Sequence, residues 1–144
     1  MKLNDGGIAS RKKSMTVPEE IEDYLWDPKG ASFGDRLKEL MARRNFTVER
    51  LAEGAYLSPK AVQRMRTMAS RPKLSCVIAV CIAMHLPPSV SYDLLELAGY
   101  RMGSSYGEDR IYRYLLDKAY SKTLDECNDI LCQLGLPAIG NDIG

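Results

Sequence analysis

Apolar residues recur every three to four positions along most of this chain, a period that predicts helices. The pattern is sharpest between Thr47 and Thr67. Val48, Leu51, Ala52 and Ala55 fall on one face of a first short helix, and Val62 and Met65 on one face of a second. Thr47 and Ser58 stand where these helices start, and their hydroxyls can accept from amides two or three residues on. Pro59 occupies the first turn of the second helix, where a missing N–H costs nothing. Lys60, Gln63, Arg64 and Thr67 are left on its outer face. Ala52 supplies the small side chain that two steeply crossing helices need where they touch.

The same period predicts helices on both sides of this stretch. One starts at Ser32 and ends near Asn45, with Phe33, Leu37, Leu40 and Met41 inward. Ser32 and Asp35 there have the spacing of a capping box, with aspartate in place of glutamate. A helix from Lys73 to Met84 is apolar nearly all round, which predicts a central place in the core. After Pro87-Pro88 another begins at Ser89 or Ser91 and ends at Ala98, with Gly99 as its C′ residue. Glu108 to Tyr120 carries Ile111, Tyr112, Leu115, Leu116 and Ala119 on one side. The last helix opens on a capping box, Thr123 with Glu126, and its apolar face is Leu124, Cys127, Ile130, Leu131 and Leu134. Gly135 ends it, and the tail beyond is expected to fray. Residues 1–31 are expected to be a tail with a short helix from Pro18 to Trp26.

Leu51 and Ala52, Leu57 and Ser58, and Val62 and Met65 stand in a pattern that resembles the helix-turn-helix of the lambda-repressor and Cro class, the Xre family. The resemblance runs from Ser32 to Gly99. It implies an all-α chain: a five-helix lambda-repressor-like helix-turn-helix domain over 32–99, followed here by a C-terminal helical hairpin over 100–144. It also implies a homodimer on double-stranded DNA, with the helix of residues 58–67 in the major groove. Gln63 would then pair with adenine, and Arg64 or Lys60 with guanine. Ser58 and Pro59 would lie near phosphates or a thymine methyl, with Thr67 on the same outer face. Thr47 and the amides after it would accept a phosphate. Arg43, Arg44, Arg66, Arg71 and Lys73 are candidates for contacts that position the domain on the backbone. The chain also departs from the family: Tyr56 replaces the usual turn glycine, Val48 a glutamine, and Arg66 and Met68 a glutamate and a glycine.

The net charge of +1 looks neutral until it is divided along the chain. Residues 32–75 hold ten basic and four acidic side chains, residues 1–31 five and six, and residues 76–144 five and nine. The positive charge therefore sits on the segment that carries the motif, as a nucleic-acid contact surface requires.

Other chemistries find little support. There is one histidine, and no Gly-rich phosphate loop, zinc-protease signature or nucleophile elbow. Cys76, Cys81, Cys127 and Cys132 form no C-x-x-C pair, so buried thiols are expected rather than a metal site. No enzyme activity, cofactor or metal is expected. No apolar stretch reaches membrane-spanning length, and the N-terminus lacks the apolar core of a signal peptide, so a cytoplasmic location is expected. Two functions stay open. The first is a sequence-specific DNA-binding transcriptional regulator. The second, fed by Val48, Tyr56 and Met68, is a protein-interaction module that kept the fold and lost DNA binding. The C-terminal hairpin must bury its apolar face, either on the core of its own chain or on a partner.

Overall fold

The computed structural model describes residues 32–67, 71–102 and 108–140. The tail of residues 1–31 with its short helix, Met68, the loop of residues 103–107 and the last four residues lie outside the described residues. Every regular element within them is a helix: α1 Phe33–Arg43, α2 Val48–Ala55, α3 Pro59–Thr67, α4 Leu74–Ala83, α5 Pro88–Leu97, α6 Glu108–Lys118 and α7 Leu124–Gln133. None is long and apolar enough to cross a membrane.

The helix starts follow the residues placed there. The Ser32 hydroxyl accepts from the Asp35 amide at 3.1 Å, which forms one half of the expected box. Thr47 accepts from the Arg50 amide at 3.1 Å, and Ser58 from the Ala61 amide at 3.0 Å. At α7 both halves form: Thr123 accepts from the Glu126 amide, and Glu126 accepts from the Thr123 amide at 2.9 Å. That bond to the backbone, chiefly, holds the Glu126 carboxyl below the usual carboxylate range. The start of α5 differs from expectation. It begins at Pro88, and Ser91 is fully buried inside the helix. A proline in the first turn starts a helix without any hydroxyl cap.

α4 is the axis of the molecule. It packs against α2, α5, α6 and α7, and every side chain from Cys76 to Ile82 is buried. This is the reason for its unbroken apolar run: with neighbours on several sides, no face is left for a polar stripe. α1 closes the bundle on α3 and α5. Arg36 of α1 counts toward the positive segment in the sequence, yet it is 1% exposed and pairs with Asp93 of α5 at 3.7 Å. A buried guanidinium needs such a partner, because its desolvation is costly.

α6 and α7 both bury their inner faces on α4 of the same chain. Tyr112, Leu115, Leu116, Ala119, Leu124, Cys127 and Leu131 all belong to the core. Two side-chain bonds tie the end of α6 down. Tyr92 of α5 donates to Asp117 at 2.8 Å, and the His85 ring Nδ1 lies 2.8 Å from the Tyr120 carbonyl oxygen. Ile130 is half-buried and packs against the core, whereas Leu134 leaves the expected inner face and is exposed.

Over Leu136 to Gly140, the described part of the tail, the expected fraying is not what the structure has. Ile139 is fully buried, and the Asn128 amide grips its backbone on both sides. Asn128 Nδ2 donates to the Ile139 carbonyl at 3.1 Å, and the Ile139 amide donates to Asn128 Oδ1 at 2.9 Å. The segment from Leu136 to Gly140 is thus a strap, held by a contact eleven residues away that helical periodicity does not encode. Asn128→Ala is expected to cost about 1–2 kcal/mol, the loss of two partly buried hydrogen bonds. Chemical denaturation would measure that cost. Hydrogen exchange at the Ile139 amide would separate a released strap from a general loss of stability.

The thiols divide. Cys76, Cys81 and Cys127 are buried, as expected, whereas Cys132 is exposed on the outer side of α7. Burial pushes Cys81 up to about 12 and Cys127 up to about 11. Both therefore stay protonated and unreactive at neutral pH. Among the described residues no three His, Cys, Asp or Glu side chains converge on a point where a metal ion would sit.

Candidate nucleic-acid interface

The corner between α2 and α3 is built from three buried side chains. Ala52 is 2% exposed, Ala55 fully buried and Leu57 6% exposed. The Leu57 amide donates to the Ala52 carbonyl at 2.9 Å and closes the end of α2. Tyr56 lies between them in the left-handed region, φ 55° and ψ 45°. That backbone conformation explains why glycine is the usual residue of such a corner, since a Cβ there is strained. Here the position is braced from the far end of the chain. The Tyr56 phenol hydrogen-bonds the Asp125 carboxylate at the start of α7, and that bond, above all, raises its pKa. Gly140 of the strap lies so close that an added Cβ would overlap the Ala55 carbonyl oxygen and stand 3.1 Å from the Tyr56 Cβ.

α3 presents its outer face to solvent. Val62 and Met65 are buried beneath it, and Pro59, Lys60, Gln63, Arg64 and Thr67 are exposed. Ser58 is half-buried, with its hydroxyl committed to the cap. Gln63 Oε1 accepts from Arg66 Nη1 at 2.9 Å, which leaves the Gln63 amide nitrogen to donate outward. The Thr67 hydroxyl is placed to donate to the Gln63 or Arg64 carbonyl, at 3.1 and 3.2 Å, so its methyl is the group most available outside.

The remaining candidates are spread over other elements. Thr47 is exposed at the start of α2. Arg50 beside it, to which the sequence pattern assigned no role, donates to the Asn45 carbonyl at 2.8 Å and lies 5.0 Å from the Phe46 ring centroid. It brings a further positive charge to the same end. Arg43 is half-buried at the last turn of α1. Arg44 donates to the Met84 carbonyl at 3.3 Å. Arg71 is anchored most firmly. Its Nε donates to the Ala98 carbonyl at 3.0 Å, its Nη2 to the Gly99 carbonyl, and its guanidinium stacks 4.0 Å from the Tyr100 ring centroid. These bonds cap the end of α5, a structural duty that the spacing of Arg71 in the chain gave no sign of. Lys73 is exposed at the start of α4. The structure thus gathers Lys60, Gln63, Arg64 and Thr67 on one face of α3, with Arg66 bonded to Gln63 beside them, and leaves Arg43, Arg44, Arg71 and Lys73 on other parts of the fold.

Neither the curated proteins nor the solved structures hold a significant match to this chain. The family comparison does give one, and it spans the corner, α3 and the helices that hold them. Residues 36–98 match the Cro/C1-type helix-turn-helix DNA-binding domain, and the chain carries a domain of that family.

Proposed function

We propose that the chain is a sequence-specific DNA-binding transcriptional regulator that reads the major groove with α3. The observation that carries this is the exposed set Lys60, Gln63, Arg64 and Thr67 on the outer face of α3, within a Cro/C1-type domain. A glutamine amide matches the donor and acceptor on adenine, and a guanidinium matches the two acceptors on guanine. Thr47, Arg43 and Lys73, with the anchored Arg44, Arg66 and Arg71, supply positive charge or amides for phosphates. Ser58 and Pro59 lie at the end of α3 that enters the groove first. Residues 32–99 form the DNA-reading unit in this reading. Residues 100–144 brace it and pair it with a second copy, so that two α3 helices meet successive major grooves about 34 Å apart. The regulator works in the cytoplasm, on the nucleoid, with no cofactor and no catalytic step.

The rival reading, an interaction module, rested in part on Tyr56 as an aromatic for a partner. The Asp125 carboxylate that raises the pKa of its phenol supports an internal role for that ring, although the ring itself remains exposed.

Selection of preferred sequences from random duplexes tests the proposal, with Arg64→Ala as the variant. An enriched two-fold motif is the expected result. Arg64→Ala should weaken binding to it by about 1–3 kcal/mol and relax the preference at one base pair of each half-site. An equal loss on every sequence would make Arg64 a phosphate contact. No enrichment and no binding at low salt would sink the proposal.

A further inference from the structure

The inner faces of α6 and α7 are consumed by α4, so any contact of this unit with another molecule uses its outer side. That side carries a groove of about 650 Å³ between the two helices, lined by Arg110, Ile111, Tyr114, Ile130 and Leu134. Tyr114 is 48% exposed and Leu134 54% exposed, the two most exposed large apolar side chains among the described residues. Adjoining apolar side chains left exposed in a groove offer a surface that a second molecule could bury.

The charge pattern along the groove selects the occupant. Arg110, Tyr114 and Lys118 follow one another at four-residue spacing on α6, so the α6 wall is basic at both ends. Glu126, Ile130 and Leu134 follow at the same spacing along α7, with Asp129 beside them, so the α7 wall is acidic at its start. All four charged side chains are exposed. We propose that this groove is the contact between two copies of the chain, paired about a two-fold axis that runs along it. Such an axis turns each copy so that its α6 wall meets the α7 wall of the other. Lys118 then faces the partner's Glu126, and Tyr114 faces the partner's Ile130. A contact that is self-complementary in this way is what a closed two-fold dimer requires. The inference rests on the reading of a two-fold DNA reader, and it names the surface that pairs the copies.

Sedimentation of the full chain tests it, with Leu134→Arg, Tyr114→Arg and Lys118→Glu as variants. The wild type is expected to be a dimer. Leu134→Arg and Tyr114→Arg should each weaken dimerisation about tenfold or more, because a central apolar anchor is replaced by a charge. Both side chains are about half exposed within one chain, so the helical circular-dichroism signal should not change and its melting should shift little. Lys118→Glu should weaken the dimer at low salt and less so at high salt. A monomeric wild type overturns the inference, whether the groove is open or filled by residues 18–26 of the same chain. A dimer that survives both arginine variants overturns it as well. Duplex binding measured on the same samples keeps the two ideas apart. Half-site binding that persists in a chain with no groove dimer would defeat this inference alone, and a groove dimer that binds no duplex would uphold it while defeating the DNA reading.

Discussion

Raising monovalent salt from about 50 to about 200 mM is expected to cost about four orders of magnitude in affinity for the preferred duplex. The figure follows from counterion release. About four phosphates neutralised per subunit make about eight per dimer, and at about 0.9 counterions each the log–log slope is near −7. The side chains that would supply this are exposed and half-buried cations of the domain: Lys60, Arg64 and Arg66 on α3, Arg43 at the end of α1 and Lys73 at the start of α4. Arg36 belongs to the same basic segment of sequence but cannot contribute, since it is buried against Asp93. Fluorescence anisotropy across a salt series would measure the slope. Lys73→Ala removes one cation from each subunit, so it should reduce the magnitude by about two for the dimer and weaken all sequences alike. A slope near half the expected value would describe one subunit on DNA. A flat dependence would mean that the positive segment is not a phosphate surface, and the DNA reading would fall with it.

Gly34→Ala is expected to destabilise the fold by about 3 kcal/mol, at the upper end of the costs of overpacking. Gly34 lies in the first turn of α1, against the end of α3. A Cβ added there would overlap the Arg66 carbonyl oxygen and stand 2.9 Å from the Arg66 carbonyl carbon. Both obstacles are backbone, which cannot rotate aside as a side chain would, so α1 and α3 must move apart. Met65 and Phe33, both buried near this contact, would lose packing as they do. The substitution should therefore weaken duplex binding too, through the tilt of α3, although Gly34 itself is buried. Gly54→Ala is the control. An added Cβ there meets only the Ala83 Cβ at 3.4 Å, an ordinary contact, so the helix preference for alanine should make it neutral or stabilising by up to about 1 kcal/mol. Urea denaturation of the two variants beside the wild type would decide it. Equal stabilities for both alanine variants would show that the close approach of α1 to α3 is not tight.

Much of the site was legible because its determinants are local. Thr47, Ser58 and the Thr123–Glu126 pair declare helix starts through bonds that span only three residues. The outer face of α3 follows from where Val62 and Met65 fall, since a helix that buries two positions exposes those opposite. The central place of α4 follows from its unbroken apolar run. These features are set by neighbours within one or two turns, so the order of residues is enough to read them.

Other features rest on pairs of residues that are far apart in the chain. Asp93 makes Arg36 a buried ion rather than a surface cation, 57 positions from it. The carbonyls of Ala98 and Gly99 turn Arg71 into a cap for α5. Asp125 and Gly140 brace Tyr56, and Asn128 converts an expected loose end into a strap against the helix-turn-helix corner. Hydrophobic periodicity states which face of a helix is buried, but not which element covers it. A polar side chain has one sequence signature whether it ends in water or on a carbonyl from another helix. The outer face of α3 was therefore written along the chain, and the contacts that hold α3 in place were settled only when α4 brought the C-terminal helices back onto the corner.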